Sequence, residues 1–144
     1  MGVEGKVVIV TGANREGQVG DFLARAFARE GASLVVAARA EANTRRVAET
    51  IRASGGRAIG VGMDGTSEAD VAGLVERALA EYGKIDVLIN LAGGLTKYGP
   101  TVELSVKDWT EELNNNLTTA FICSKAVIPT MRSEEHTSEL QSQR

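Results

Sequence analysis

Cysteine and histidine are almost absent from this 144-residue chain. There is one cysteine, Cys123, which excludes an intramolecular disulfide and a thiolate metal cluster. There is one histidine, His136, which excludes a site with several histidine ligands. The sequence therefore predicts no metal-binding residues.

Long apolar runs and an excess of charge of one sign are also missing. The longest apolar stretches, Lys6 to Thr11 and Ser33 to Ala38, are far shorter than the roughly 20 residues of a membrane-spanning helix. The N-terminus, MGVEGKVVIV, lacks the charged start and long apolar centre of a secretory signal, so we expect a cytoplasmic protein. With 16 basic residues against 19 acidic ones and no basic run, a nucleic acid is not an expected partner.

What the chain does have is a regular alternation of two hydrophobic periods. Short β-branched runs predict buried strands, and apolar residues at helical spacing predict helices between them. The predicted strands are Lys6 to Thr11, Ser33 to Arg39, Arg57 to Asp64 and Lys84 to Asn90, and the predicted helices are Gly20 to Glu30, Glu41 to Ala53, one that starts after Ser67, and a long one from Ser105 towards Met131. This pattern predicts an α/β fold, a Rossmann-type doubly wound parallel sheet that stops after about four strands and the long helix.

The last thirteen residues do not follow this pattern, since Leu140 is their only strongly apolar residue. We therefore predict a domain over residues 1–131 and a non-native or disordered tail over 132–144. The segment RSEEHTSELQS resembles the in-frame translation of a sequencing-library adapter. The alternative is a natural short protein with a solvated tail.

A glycine-rich turn follows the first predicted strand. In TGANREGQVG, Gly12 can adopt backbone angles closed to other residues, and Gly17 and Gly20 would let a pyrophosphate approach the next helix N-terminus. The alternative is an ordinary turn between a strand and a helix.

The end of the second predicted strand indicates which dinucleotide is preferred. Dinucleotide-binding folds present at this point either an acid to a ribose 2′-hydroxyl or an arginine to a 2′-phosphate. This chain has Ala38 and Arg39 there and no acid, which favours NADP over NAD, and Arg15 could add a second positive charge. Alternatively, Arg39 is simply an exposed residue at the start of a loop.

Three asparagines in a row, Asn114 to Asn116, interrupt the long predicted helix. Asparagine is a poor helix former because its side chain competes for backbone hydrogen bonds. Such local misfits often mark a functional site, and the alternative is a helix break with asparagine in a turn.

Four segments in order and at consistent spacing resemble the N-terminal half of a short-chain dehydrogenase/reductase: TGANR, MDGTSEADV, NLAG and DWTEELNNNL. The resemblance covers about Glu4 to Met131. It implies hydride transfer between NADP(H), or NAD(H), and a small carbonyl or secondary alcohol substrate, in a parent protein that forms homo-oligomers. It assigns Asn116 to the active site. The residues expected to line the cofactor are Gly12, Asn14, Arg15, Gly17, Val19, Gly20, Arg39, Asp64, Gly65, Asn90, Ala92 and Gly93.

The chain departs from the family pattern in two places. The glycine turn is longer by two residues, which adds Glu16, and with Asp21 this places two acids near the phosphate position, where they could weaken binding by repulsion. In NLAG, Leu91 replaces the usual second asparagine and removes a side-chain hydrogen bond.

The family's catalytic serine and Tyr-x-x-x-Lys pair have no counterpart within these residues. Tyr82 is followed four residues later by Asp86, and Tyr98 by Val102. Without a general acid beside the carbonyl, the chain is expected to be inactive. The alternative function is a non-catalytic dinucleotide-binding or regulatory protein.

Overall fold

The structure is a computed structural model that describes residues 2–142, and from residue 134 onwards only the course of the backbone. Strands and helices alternate along the chain. They are β1 Val7–Thr11, α1 Val19–Arg29, β2 Ser33–Ala38, α2 Glu41–Ala53, β3 Arg57–Gly62, α3 Glu68–Tyr82, β4 Val87–Asn90, α4 Val106–Leu113 and α5 Thr119–Ser142, with a 3₁₀ turn at Thr101–Glu103 and a π-helical segment at Asn114–Thr118.

The four strands form one parallel sheet in the order β3-β2-β1-β4. In the register, Ile9 of β1 lies beside Val35 of β2 on one side and Leu88 of β4 on the other. The change of direction between β2 and β4 places β1 at the topological switch point, where open α/β sheets bind ligands beyond the carboxyl ends of the strands. The predicted α/β, doubly wound parallel fold with four strands is confirmed.

Two hydrophobic layers cover the two faces of the sheet, as the alternation of side chains along a strand requires. Ile9 and Val35 pack with Leu74 of α3 and Val127 of α5. Neighbouring strand residues such as Val8 point to the opposite face, towards α1 and α2. Cys123 is buried in the first layer, where burial raises the pKa of its thiol.

Strand β4 begins at Val87, three residues later than predicted, and Asp86 is the reason. Its carboxylate accepts the backbone N–H of Val7 at 2.8 Å, while its own N–H donates to the Val7 carbonyl at 3.0 Å. A side chain therefore replaces the backbone carbonyl that a continued ladder would have supplied. Lys84 and Lys6 lie 3.1 and 3.8 Å from the same carboxylate.

We expect Asp86 to contribute an acid-sensitive part of the stability. Burial alone would raise the pKa of Asp86, but the Val7 N–H and the two lysines outweigh it and lower the pKa. The folded chain then binds fewer protons than the unfolded one. The contribution is fully present above the ordinary carboxyl pKa near pH ~4 and is lost as pH falls through the lower folded value.

In urea unfolding at pH 7, Asp86→Asn should lower the free energy of unfolding by about 1 kcal/mol, the usual net value of a hydrogen bond. The difference between Asp86→Asn and the unchanged chain should shrink at pH 3. The exposed Glu76→Gln on α3 makes the same charge change as a control. An equal loss at both pH values would show that the carboxylate charge is not what stabilises this corner.

The helix predicted from Ser105 towards Met131 is broken into three parts. Ser105 begins α4 with a complete capping box, because its side chain accepts the Asp108 N–H and the Asp108 carboxylate accepts the Ser105 N–H. The asparagines then form the π-helical segment Asn114–Thr118. Such π-bulges are frequent at functional sites. Because the three parts follow one another without a non-helical residue, the predicted local misfit is a change of helix type and not a turn.

The segment 132–144, predicted as a non-native or disordered tail, begins within helix α5. Helix α5 continues past Met131 to Ser142, and residues 143 and 144 lie outside the described residues. The side chain of His136 also lies outside them. The adapter origin of the segment remains a prediction. Between residues 2 and 142, no helix is both long and apolar enough to cross a membrane.

Candidate functional site

A cavity of about 710 Å³ lies at the carboxyl ends of the strands. That volume is within the range of small-molecule sites. All predicted cofactor-contacting residues except Arg15 and Asn90 line it: Gly12, Asn14, Gly17, Val19, Gly20, Arg39, Asp64, Gly65, Ala92 and Gly93. The fold thus brings together segments that follow β1, β2, β3 and β4. Met63, Leu91, Leu95, Thr96 and Asn115 also line the cavity, and the sequence analysis did not assign them to the site.

Gly12 is required by the local backbone and by the approach of a neighbouring strand. Its φ is +80°, and a Cβ there would lie 2.6 Å from the carbonyl oxygen of Leu91. Gly20 shows a similar close approach, since a Cβ there would lie 2.8 Å from Cα of Ala13. These two glycines let the turn fold against the end of β4 and against its own start.

Thr11 connects the ends of β1 and β4. Its side chain is fully buried, its hydroxyl donates to the Ile89 carbonyl, and the same oxygen accepts the N–H groups of Leu91 and Ala92, both at 3.1 Å. Thr11 was not among the predicted site residues. A lone hydroxyl at the end of an otherwise apolar strand is the signal that could have identified it, because buried polar groups need partners. Leu91, in place of the family's asparagine, is held here through its backbone.

The two acids of the longer glycine turn are directed towards an arginine. Asp21 is almost completely buried and lies 2.7 Å from Nε of Arg25, and Glu16 lies 3.1 Å from the same guanidinium. The Asp21 side chain is the largest cause of the raised pKa of Arg25. The Asp21 carboxylate also accepts the N–H of Gly17 at 2.9 Å. The acids are therefore compensated by Arg25, which reduces the predicted repulsion at the phosphate position.

Helix α1 begins at the cavity without a side-chain cap. Gln18 occupies the N-cap position and makes no side-chain hydrogen bond to the first turn. Val19 and Gly20, the first two residues of the helix, line the cavity. Uncapped N–H groups and the helix dipole favour an anion at such a position.

Arg39 and Asp64 lie at another part of the cavity, after β2 and β3. The Thr66 N–H and hydroxyl donate to one oxygen of Asp64 at 2.9 and 2.7 Å and hold the pKa of Asp64 below its ordinary value. The positive charge of Arg39 lowers that pKa further. Gly65 is buried, and a Cβ there would lie 3.2 Å from the side chain of Thr119.

Arg15 and Asn90 lie apart from the main cavity lining. Arg15 lines a smaller cavity of about 220 Å³ next to Asn14, together with Asn43 and Arg46 of α2. Asn90 is exposed, and its side-chain amide donates to the Ser124 hydroxyl at 3.2 Å. The structure thus gives Asn90 a link between β4 and α5.

Asn116 lies in the π-helical segment with its side-chain amide fully engaged. Its oxygen accepts the Gly94 N–H at 2.9 Å, and its nitrogen donates to the Gly94 carbonyl at 3.1 Å and to the Glu112 carbonyl at 2.9 Å. A Cβ on Gly93 would lie 2.6 Å from the Asn116 oxygen. Asn116 therefore holds the segment that follows β4, and its neighbour Asn115 reaches the cavity.

Glu112 is a further residue that the sequence analysis missed. Its carboxylate accepts N–H groups from Thr96 and Lys97 at 2.9 and 3.0 Å and also the Thr96 hydroxyl. The Thr96 hydroxyl is the largest cause of the lowered pKa of Glu112. Asp108, Glu112 and Asn116 all contact residues 94–97. Their spacing of four residues, which places them on one helix face, is the sequence signal that could have identified Glu112. Among the described side chains, no group of three potential metal ligands is present.

Comparison with known proteins decides the family. A family profile described as short chain dehydrogenase matches residues 6–138. The chain belongs to this family. It is 41% identical over 128 residues to 1,6-dihydroxycyclohexa-2,4-diene-1-carboxylate dehydrogenase of Acinetobacter baylyi. The aligned region covers 89% of this chain and 48% of that protein. It is 30% identical over 136 residues to 3-oxoacyl-(acyl-carrier-protein) reductase of Escherichia coli. Here the aligned region covers 94% of this chain and 53% of that protein.

A solved structure agrees with this assignment. The crystal structure of a short-chain dehydrogenase/reductase from Burkholderia xenovorans has a TM-score of 0.83 and 37% identity, and covers 92% of this chain and 53% of that one. The chain therefore spans about half the length of the relatives that it matches. The family consists of oxidoreductases that generally bind NAD(P) and act on small molecules. The predicted family is therefore confirmed, and the activity of this chain stays a prediction.

Proposed function

We propose that this chain is the NADP(H)-binding part of a reductase that transfers a hydride between the cofactor and a carbonyl or secondary alcohol. The supporting observation is the cavity at the switch point, where Arg39 is present and the residue before it, Ala38, is not an acid. In this arrangement the nicotinamide ring, when bound, carries the hydride. The chain's residues bind and orient the cofactor.

The order of the strands suggests how the cofactor would lie. The pyrophosphate would occupy the uncapped start of α1, where Val19 and Gly20 line the cavity. Arg39 follows β2 on one side of β1, and Ala92 and Gly93 follow β4 on the other. We therefore assign the adenosine half to the β2 side and the nicotinamide half to the β4 side.

Arg39 and Asp64 would divide recognition of the adenosine half. The Arg39 guanidinium suits a 2′-phosphate, to which arginine can donate two parallel hydrogen bonds. One Asp64 oxygen is occupied by Thr66, which fixes the carboxylate at the cavity edge and leaves its other oxygen for a base amino group. NADP is therefore the proposed cofactor, with NAD as the weaker ligand.

Asn116 would contribute to the active site mainly by holding the backbone of Gly94 in place. Its side-chain amide is engaged by Gly94 and Glu112, so a water or substrate would meet the main chain of the π-helical segment. The family's serine and Tyr-x-x-x-Lys acid have no counterpart among these 144 residues. We therefore expect cofactor binding without turnover.

A direct test separates binding from catalysis. The purified chain should enhance NADPH fluorescence saturably and more strongly than it enhances NADH fluorescence, yet show no NADPH oxidation with a panel of ketones. Turnover above the protein-free rate would contradict the proposed inactivity. Absence of NADPH binding, with a folded far-ultraviolet circular dichroism spectrum, would contradict the proposed cofactor site.

A non-catalytic dinucleotide-binding role is the second candidate. The observation that favours it is the longer glycine turn, in which the Gly17 N–H is already taken by Asp21. Sequencing the source DNA past codon 131 with a different library chemistry distinguishes the two. A serine and a Tyr-x-x-x-Lys motif downstream would support the reductase and the proposed boundary between residues 1–131 and a non-native segment 132–144. The same tail and a stop codon would support the binding protein.

We also propose that the parent protein is a cytoplasmic homo-oligomer. Large apolar side chains are exposed along α4, the π-helical segment and α5, and Trp109 is 59% exposed. The others in this row are Val106, Leu117, Phe121 and Ile128. Several exposed apolar side chains on successive helical segments favour contact with a second subunit.

A further inference from the structure

The segment that follows β4 borders the cavity but has little apolar packing of its own. Gly93, Gly94, Leu95 and Thr96 line the cavity, and all four are exposed. Leu95 is 64% exposed, and so it does not fix the segment by burial. The position of residues 94–97 must therefore depend on polar contacts.

Three side chains of the neighbouring helix supply those contacts at a spacing of four residues. Asp108 of α4 lies 3.6 Å from Nζ of Lys97, Glu112 accepts the two N–H groups of residues 96 and 97, and Asn116 takes both backbone groups of Gly94. Residues four apart share one face of a helix, so one face of the helix holds the whole segment.

We propose that Glu112 is a positioning residue for the nicotinamide half of the cofactor, because its carboxylate holds residues 96 and 97 at the edge of the cavity. This inference rests on the proposed function. One carboxylate oxygen accepts three donors at once, namely the Thr96 N–H, the Thr96 hydroxyl and the Lys97 N–H. A neutral amide oxygen is a weaker acceptor, and a charged acceptor roughly doubles the strength of such bonds.

Glu112 also supports Asn116. The Asn116 side-chain nitrogen lies 3.5 Å from the second Glu112 oxygen and donates to the Glu112 carbonyl. The residue therefore connects the π-helical segment with the segment after β4 at two points. Loss of the carboxylate should release residues 96 and 97 first and leave the Gly94 contact to Asn116 as the remaining link.

The variants for the test are Glu112→Ala, Glu112→Gln and the control Glu111→Gln. Glu111 is the adjacent residue and pairs with Lys107 on the same helix. The Glu111→Gln substitution removes one negative charge from α4 and leaves the contacts of residues 94–97 in place. Circular dichroism and urea unfolding identify any variant that fails to fold, and Glu112→Gln remains available because it keeps the shape of the side chain.

The first measurement is amide hydrogen exchange of the unliganded chain by nuclear magnetic resonance. In Glu112→Ala, the amides of Thr96 and Lys97 should exchange about tenfold faster, as expected when hydrogen bonds to a charged acceptor are lost. Glu112→Gln should show a smaller increase, and Glu111→Gln none. Unchanged exchange at both amides in Glu112→Ala would overturn the proposal.

The second measurement compares two ligands by titration: NADPH, and 2′,5′-ADP, which lacks the nicotinamide half. Glu112→Ala should weaken NADPH binding several-fold and leave 2′,5′-ADP binding unchanged. Equal weakening of both ligands, or of neither, would overturn the positioning role. If the unchanged chain bound neither ligand, the proposed function would fail, and the exchange result would still decide whether Glu112 holds this segment.

Discussion

Replacing Gly12 with alanine should cost both stability and cofactor binding, more than any other single methyl group added in this turn. The backbone at Gly12 has a φ of +80°, and the new Cβ would lie 2.6 Å from the Leu91 carbonyl oxygen. The left-handed backbone costs about 1–2 kcal/mol for a residue with a side chain. Overpacking against a fixed backbone adds about 1–3 kcal/mol.

The total loss of about 2–5 kcal/mol is a large share of the stability of an ordinary domain, which is about 5–15 kcal/mol. Because the Leu91 backbone must move, the contacts of Thr11 with Leu91 and Ala92 should also weaken. Urea unfolding followed by circular dichroism measures the first effect, and NADPH titration below the unfolding transition measures the second.

Gly55→Ala is the matched control for this prediction. Gly55 has a φ of +85°, but a Cβ there would meet nothing within 4 Å. It should therefore lose only the backbone contribution of about 1–2 kcal/mol and keep its affinity for NADPH. Equal losses for Gly12→Ala and Gly55→Ala would show that contact with β4 does not restrict this turn.

Replacing Arg39 with aspartate should reverse the cofactor preference. The change removes a donor for the 2′-phosphate and introduces a carboxylate that repels a phosphate and suits a ribose 2′-hydroxyl. A hydrogen bond to a charged group contributes about 1.5–3 kcal/mol, so NADPH affinity should fall about 10- to 150-fold. NADH affinity should stay the same or rise.

The dissociation constants of NADPH and NADH, measured at one fixed ionic strength, test this expectation. Arg77→Asp makes the same change of charge on the exposed part of α3, away from the cavity lining. It controls for the general effect of charge on an anionic ligand. If Arg39→Asp left the ratio of the two constants unchanged, Arg39 would have no part in the 2′-phosphate site.

Much of the site could be predicted because glycines and strand ends have a local meaning. The run VVIVT followed by Gly12 predicts a buried strand and a sharp turn, and the sheet topology brings Arg39, Asp64 and Ala92 to one cavity. The residues that were missed act through distant partners. Thr11 and Glu112 each bind backbone groups at least fifteen residues away, and a local pattern can mark such a residue without identifying its partner.

The start of β4 moved from its predicted position for the same reason. The start of β4 is set by the Asp86 carboxylate, which takes the Val7 N–H from another strand. Helix α3 begins after Ser67 as predicted, where the Ser67 side chain accepts the Asp70 N–H and the Asp70 carboxylate accepts the Asp64 N–H. At Asp86 a partner from a distant strand took a hydrogen-bonding group that local spacing alone would assign otherwise.

The sequence by itself determined the α/β alternation, the parallel sheet, the glycine turn and the likeness to short-chain dehydrogenases, because hydrophobic period and glycine placement are local properties of the chain. Only the tertiary structure decided the balance of charge around Asp21, the π-helical form of the asparagine run and the attachment of residues 94–97 to Glu112. The physical reason is that each of these depends on which polar groups the folded chain brings within hydrogen-bonding distance of one another. That is fixed by the packing of distant elements.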